Sequence, residues 1–365
     1  MLGQLRINDG IESGDEEDDA VGSLKLDGAA PLKQNKGTLN DQSFMLSDSG
    51  TFKVEDFNIS KSGLVPSGER GVSNEAPARE VDVTTISDLE TLDKLGSGAS
   101  GTVYRAKHIK TGEVFAVKQV RILDKPKRDQ VVSELRIMMS HTQCPWLVSL
   151  YNAFYEEANV YTVLEFMDAG SVADLVEKHK DSGLMDEREL AKISLQLLNG
   201  LNYLHRQLHQ VHRDLKPANV LLNRRGQVKI SDFGISSQLE STAGLCSTFV
   251  GTTCYMSPER LSGTHYSYAA DVWSFGIIIL ELAKGAYPYP QADSYFKLLE
   301  QIMDSPAPVL PEGDFSDHFA EFVSICLDKE PNLRPAAHDI ISHPFLRQYP
   351  MDDMLLSGMM EGMTL

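Results

Sequence analysis

Val211-His212-Arg213-Asp214-Leu215-Lys216-Pro217-Ala218-Asn219 is followed, after a short strand-like segment, by Asp232-Phe233-Gly234. Asp214, Lys216, Asn219 and Asp232 put a base, a cation and two metal-binding oxygens within one short stretch. Moving a γ-phosphoryl group needs a hydroxyl held in line and divalent cations to neutralise the phosphate oxygens, with little covalent help from protein. Asp214 is suited to accept the hydroxyl proton, while Asn219 and Asp232 supply hard oxygens of the kind Mg²⁺ prefers. Between them, Val220-Leu221-Leu222 and Val228-Lys229-Ile230 read as two apolar strands turned by residues 223–227, which include Gly226. Such a hairpin returns Asn219 and Asp232 to one edge. The stretch reads as a phosphoryl-transfer site working on ATP with Mg²⁺.

Towards the N-terminus, Leu89 to Leu95 begins to alternate, Gly96-Ser97-Gly98-Ala99-Ser100-Gly101-Thr102-Val103-Tyr104 follows, and then Val114-Phe115-Ala116-Val117-Lys118-Gln119-Val120. Three antiparallel strands are predicted, with a glycine-rich turn between the first two. Glycines there let backbone N–H groups approach phosphate oxygens with no Cβ in the way. A dinucleotide-binding fold carries similar glycines, but in it the motif opens a helix and an acidic residue follows about 20 positions on. Here the chain continues as strand to Ala116-Val117-Lys118. Lys118 in an apolar strand needs an anion, because an unpaired buried ammonium is costly. The helix-like segment Lys127 to Ser140 offers Glu134, and such a pair would aim Lys118 at the α- and β-phosphates. Two further strands are expected at Trp146 to Tyr151 and Asn159 to Phe166. The Gly-containing break Met167-Asp168-Ala169-Gly170-Ser171 then reads as a hinge, residues 165–171, between an N-lobe (86–166) and a C-lobe (172–347). Backbone at Glu165 and Met167 would bond a flat heteroaromatic ring, with Leu164 behind it. Leu95, Val103, Ala116 and Leu221 complete the expected nucleotide pocket.

Beyond the hinge the period becomes helical: Val172 to Lys178, Glu187 to Arg206, an apolar helix from Asp271 to Ala283, Tyr295 to Ile302 and His318 to Leu327. Asp271 in that setting calls for backbone N–H partners near His212 and Arg213. Arg334 is expected to pair with Glu259. Residues 1–85, rich in Gly, Ser, Asp and Glu, hold too little apolar surface to offset ordering entropy and read as a largely disordered acidic regulatory or docking tail, in which Leu24-Lys25-Leu26 and Phe44 to Phe57 stand out as pieces able to fold on a partner, with residues 348–365 a second, frayed tail.

The 365-residue chain carries 34 basic and 52 acidic residues, a net charge of −18 that disfavours nucleic acid and anionic membranes as partners. Cys144, Cys246, Cys254 and Cys326 show no metal or disulfide spacing, which fits a reducing compartment. The longest strongly apolar run, Phe275 to Leu280, is too short to span a bilayer, and no cleavable signal or myristoylation start is evident. A cytoplasmic protein is expected, with the nucleus also open to it.

The ordered set Gly96/Gly98/Gly101, Lys118, Glu134, His212-Arg213-Asp214, Asn219, Asp232-Phe233-Gly234 and Ser257-Pro258-Glu259 resembles the eukaryotic protein kinases over residues 86–347. The resemblance implies an α+β bilobal fold, a β-rich N-lobe with one helix and a mainly helical C-lobe. Lys216 and Thr252 resemble the serine/threonine branch. Phe249-Val250-Gly251-Thr252, Tyr255-Met256-Ser257-Pro258-Glu259-Arg260-Leu261, Met167 to Ser171 and Gly263-Thr264-His265-Tyr266-Ser267 resemble the mitogen-activated protein kinase kinases. That narrower likeness implies dual-specificity phosphorylation of Thr and Tyr in the T-x-Y activation loop of a downstream MAP kinase. It also implies activation by an upstream MAPKK kinase, and scaffold proteins as further partners. A serine/threonine-only kinase of the Ste20-like group and a pseudokinase scaffold are the alternatives, although the latter lacks its usual mark, loss of Lys118, Asp214 or Asp232. Family members are phosphorylated on two activation-loop hydroxyls, the second directly before Phe-Val-Gly-Thr, which is Thr248 here. The animal spacing would put the first on Gly244, whereas the plant-type spacing gives Thr242; Ser241 and Ser247 form the second candidate pair. The family's docking motif sets a basic cluster a few residues before an apolar-x-apolar pair; Leu24-Lys25-Leu26 supplies the pair, but acidic residues stand where the basic ones belong.

Overall fold

The first lobe is built around one central strand, Val114–Arg121, whose alternate side chains enter apolar clusters on opposite faces. The computed structural model describes residues 44–46, 51–54, 56–67, 83–98, 100–122, 124–140, 144–180, 185–233, 253–264, 267–290, 294–349 and 356, all within one compact unit spanning Asp41–Leu365. Four short antiparallel strands come first: β1 (Phe44–Leu46), β2 (Phe52–Val54), β3 (Phe57–Ser60) and β4 (Gly63–Pro66). A five-stranded antiparallel sheet follows, in the order β5-β6-β7-β9-β8. Its members are β5 (Leu89–Gly98), β6 (Gly101–His108), β7 (Val114–Arg121), β8 (Leu150–Glu156) and β9 (Asn159–Glu165). On β7, Phe115 and Val117 point into a small cluster with Val83, Ala106, Phe154 and Val163. The alternate positions Ala116, Lys118 and Val120 lie on the other face, which α1 (Lys125–Ser140) helps to cover with Val131, Val132, Leu135 and Met138.

The second lobe is helical. The first two helices are α2 (Val172–His179) and α3 (Glu187–Arg206). A capping box at Ser171 and Asp174 starts α2, and Asp186 caps α3. β10 (Val220–Leu222) and β11 (Val228–Ile230) form the hairpin between Asn219 and Asp232, in the register Val220↔Ile230. After α4 (Pro258–Leu261), the helix α5 (Ala269–Lys284) is buried at every residue from Ala270 to Ala283 and is the axis of the lobe. It ends at Gly285, whose φ of 69° is the left-handed C′ conformation. α6 (Tyr295–Asp304), α7 (Asp317–Cys326), α8 (Ala337–Ile340) and α9 (Pro344–Arg347) complete it. No helix among the described residues is long and apolar enough to cross a membrane.

Three expectations need correction. The segment expected to be a largely disordered tail up to residue 85, with Phe44 to Phe57 folding at most on a partner, contains β1 to β4 packed on this chain's own lobe, and Phe52, Phe57 and Ile59 are each buried to within 1% of full burial. Average composition hid them: a few large apolar side chains, each contributing about 1.5–3 kcal/mol on burial, suffice when a neighbouring surface receives them. Here Phe52 packs its ring 5.7 Å from that of Tyr155 on β8. The C-terminal stretch is likewise anchored at one point, where buried Leu356 donates its N–H to the Gly226 carbonyl at 3.1 Å. The strand expected at Trp146 to Tyr151 begins only at Leu150. Its first half instead runs beside β11, with Ile230 N–H donating to Trp146 O at 2.9 Å and Val148 N–H to Ile230 O at 3.0 Å.

Candidate active site

Two groups of side chains meet at the edge of the β10–β11 hairpin. In the first, the Lys118 ammonium donates to Glu134 Oε1 at 2.6 Å and to Asp232 Oδ1 at 2.8 Å. Strand register places Lys118 beside Val103 on β6, and α1 carries Glu134 in from above. Burial pulls the lysine pKa down, yet the two carboxylates win and hold it above its ordinary value. Burial pushes the Glu134 carboxyl up, against the opposing pull of Lys118. At Asp232 burial acts in the same upward sense, but Lys118 prevails and the carboxyl sits below the usual range.

The second group surrounds Asp214. Its Oδ2 accepts from Lys216 Nζ at 2.9 Å and from Asn219 Nδ2 at 3.1 Å, and Asn219 Nδ2 also donates to Asp214 O at 2.7 Å. Lys216 opens a short 3₁₀ turn, Pro217–Asn219, that feeds β10. Buried His212 joins the two groups: its Nε2 lies 3.0 Å from Ser231 O and so donates, leaving Nδ1 to accept the Asp214 N–H at 3.3 Å. Ser231 N–H donates to Asn219 O at 2.9 Å, closing the hairpin. Arg213 and Asp232 both take positive φ, 70° and 50°, conformations that cost about 1–3 kcal/mol each and persist only where surroundings enforce them. Arg260 does so for Arg213, donating to its carbonyl.

Asp271 anchors the loop that precedes Asp214. It accepts His212 N–H at 2.8 Å, Arg213 N–H at 3.1 Å and His205 Nε2 at 2.8 Å. The backbone partners are those that the sequence calls for; His205, the second-to-last residue of α3, carries no such sequence mark. Lys229 escapes a motif reading too, although a lysine between Val228 and Ile230 poses the same question as Lys118. Its Nζ reaches Glu165 Oε2 at 2.8 Å. The Glu165 side chain is thus committed to β11, and its backbone N–H to Ser149 O at 2.9 Å, which leaves its carbonyl at the hinge.

The remaining nucleotide-pocket candidates flank these groups. Leu164 pairs with Ala116 across β7 and β9, and Leu221 bridges to Ser171 at the start of α2. Met167 is buried at the hinge. β5 and β6 run further than the glycine-rich turn suggests, since Gly98 pairs with Gly101. Leu95 and Gly96 are half-buried, Ser97 and Gly98 exposed, and Ser100 half-buried; Ala99 lies outside the described residues. A Cβ on Gly96 or Gly98 would meet nothing within 4 Å, but one on Gly101, at φ +129°, would lie 2.5 Å from Gln119 O. Gly101 is therefore required by β7, not by open space above the loop.

The donor set fits a divalent cation bound largely through phosphate. Asn219 spends its amide nitrogen on Asp214, which leaves Oδ1, and Asp232 Oδ2 stands opposite the oxygen given to Lys118. Among the described residues no cluster of three or more His, Cys, Asp or Glu side chains could hold a metal alone. Mg²⁺ typically takes one or two protein oxygens and completes its shell with water and substrate phosphates. Gly234, Thr242, Thr248, Ser241 and Ser247, and Leu24-Lys25-Leu26, lie outside the described residues.

Comparison with known proteins agrees in kind. Residues 89–346 match the protein kinase domain family. The chain is 42% identical over 321 residues to mitogen-activated protein kinase kinase 2 of Arabidopsis thaliana, covering 86% of this chain and 87% of that one. It is 41% identical over 317 residues to mitogen-activated protein kinase kinase SIPKK of Nicotiana tabacum, covering 85% and 87%. The dual specificity mitogen-activated protein kinase kinase dSOR1 of Drosophila melanogaster is 37% identical over 297 residues, covering 74% of each chain.

Proposed function

Because this chain belongs to the protein kinase family and, within it, to the mitogen-activated protein kinase kinases, we propose that it transfers the γ-phosphoryl group of ATP to both the Thr and the Tyr of a T-x-Y activation loop in a downstream MAP kinase. The carrying observation is the pair of linked groups at the hairpin edge, Lys118–Glu134–Asp232 and Asp214–Lys216–Asn219. Asp214 is the base: with Oδ2 held by Lys216 and Asn219, Oδ1 is left to take the proton of the acceptor hydroxyl. Lys216 offsets charge on the transferring group, and Lys118, steadied by Glu134, holds the α- and β-phosphates. Asn219 and Asp232 would hold Mg²⁺, which when bound neutralises phosphate oxygens. The hinge carbonyl of Glu165 and the N–H of Met167 orient the adenine, between Leu95, Val103 and Ala116 on one side and Leu221 on the other.

Regulation by an upstream MAPKK kinase belongs to the same reading. Phosphates on Thr242 and Thr248, or on Ser241 and Ser247, each add about −1.5 to −2 charges and would pair with Arg213. The kinase domain spans residues 86–347, scaffold proteins are further partners, and the cytoplasm is the working compartment.

Incubating the chain with ATP, Mg²⁺ and an unphosphorylated MAP kinase, and mapping the products, tests the specificity. Phosphotyrosine beside phosphothreonine is expected; phosphothreonine alone overturns the dual-specificity reading in favour of a serine/threonine-only kinase. Replacing Asp214 by Ala should lower kcat roughly 10²–10⁴-fold, the usual worth of a general base, while ATP affinity persists. Undiminished turnover in that variant removes Asp214 from the role.

A further inference from the structure

Helix α1, which carries Glu134, makes ion pairs on two sides, one buried and one at the surface. Its inner side gives Glu134 to Lys118. Two positions on, about 200° around the helix, Arg136 donates Nε to Asp56 Oδ2 at 2.6 Å. Asp56 sits between β2 and β3 of the N-terminal sheet. The helix needs outside support: Lys125, Lys127 and Arg128 crowd its N-terminal end with positive charge, no acidic residue lies in its first turn, and none of its last-turn residues is basic. Asp124, accepting Lys127 N–H at 2.9 Å, is its local cap.

The sheet has a firm seat of its own on β8. Phe52 lies against Tyr155, and Lys61 pairs with Glu156 at 2.6 Å. Asn152 is the hub: its Oδ1 accepts Leu64 N–H at 3.0 Å and Ala153 N–H at 2.8 Å, while its Nδ2 donates to Val83 O at 2.8 Å. A Cβ on Gly63, at φ +110°, would come within 2.9 Å of that amide. One β8 side chain thus ties β4 and the residue that leads into the kinase domain.

We infer that residues 51–54 and 56–67 are a positioning clamp for α1, which keeps Glu134 against Lys118 and so sets the fraction of chains competent to bind ATP. The inference rests on the ATP-site reading above. Apparent affinity falls in proportion to the competent fraction, so opening the clamp should weaken ATP binding roughly threefold to tenfold.

The full chain tests this through Phe57→Asp, which puts a charge where Phe57 is 0% exposed, and through Phe57→Leu as the conservative control. Hydrogen exchange is followed in 51–67, in 125–140 and in α5, beside ATP affinity and kcat at saturating ATP. In Phe57→Asp we expect rapid exchange in 51–67, faster exchange in 125–140, weaker ATP binding and a kcat within about twofold of the unmodified chain, as uniform binding loss predicts. Phe57→Leu should return all of these. An opened 51–67 with unaltered α1 protection and ATP affinity overturns the clamp. If Phe57→Asp also strips protection from α5, the decision passes to Asp56→Arg: faster α1 exchange that is reversed by adding Arg136→Asp supports the clamp, and unchanged α1 exchange overturns it. An unmodified chain that does not bind ATP defeats the site reading instead, and leaves the exchange result standing.

Discussion

Lys118 is 3% exposed and meets two carboxylates, so its charge is retained in a place that would otherwise expel it. The two acids differ in what they do on acidification. The Glu134 carboxyl is raised above its ordinary 4.5 by burial, and therefore takes up a proton before an average glutamate does as pH falls. Asp232 is held low by Lys118 and stays ionised longer. The first acid-side change at the site is thus loss of the Lys118–Glu134 pair. ATP affinity should weaken as pH descends through a range starting above 4.5, and in Glu134→Gln it should be weak already and nearly flat over that range. A variant with the same pH profile as the unmodified chain would show that Glu134 is not the titrating group. Both partners of this pair can be named from the sequence, since an apolar strand with one lysine demands an anion. The second bond, from Lys118 to Asp232, joins residues 114 positions apart, and no local pattern announces it.

Among the elements, the β5–β6 hairpin shows how a motif and its physical cause can part company. Glycines at 96 and 98 face open space, whereas Gly101 is wedged against the Gln119 carbonyl on β7. Gly101→Ala should therefore act through strand packing: we expect a loss of about 1–3 kcal/mol of stability, the scale of strained backbone, with poorer ATP binding, measured by denaturant unfolding and ATP titration. Gly98→Ala should leave stability nearly unchanged in the same titrations. The β10–β11 hairpin and α3 are legible residue by residue, because the one is bounded by turn chemistry and the other by a long amphipathic period with Asp186 as cap. Trp146 to Ser149 misleads because an apolar, β-prone run looks the same whether it joins a ladder or, as here, makes a single bridge through Leu147 to Ile230.

Across the molecule, the second lobe is locked by Arg334, whose guanidinium meets Glu259 in a two-pronged bond of 2.8 and 2.9 Å and lies over the Trp273 ring at 5.1 Å. Arg334→Ala leaves a buried carboxylate without its partner and should cost about 3–5 kcal/mol in thermal or denaturant unfolding. Burial opposes ionisation of Glu259, but Arg334 holds its pKa below the ordinary 4.5. With the folded value depressed, the contribution is fully present above 4.5 and is lost as pH falls through the lower folded value. The unmodified chain should therefore lose stability on that descent, and Arg334→Ala should show less of that loss. The grouping of Lys118 with Glu134 and of Asp214 with Lys216 and Asn219, the order of the main elements from β5 to α7 and the Glu259–Arg334 pair follow from the sequence by itself, because spacing fixes which chemistry-bearing residues lie at strand and helix ends and because a buried charge must find its opposite. The docking of residues 51–54 and 56–67 on β8, the anchoring of Leu356 at Gly226, and the coupling of Glu165 to Lys229 were decided by tertiary structure alone. Each depends on a surface assembled from distant segments, and the free energy of covering such a surface is not written in the segment that covers it.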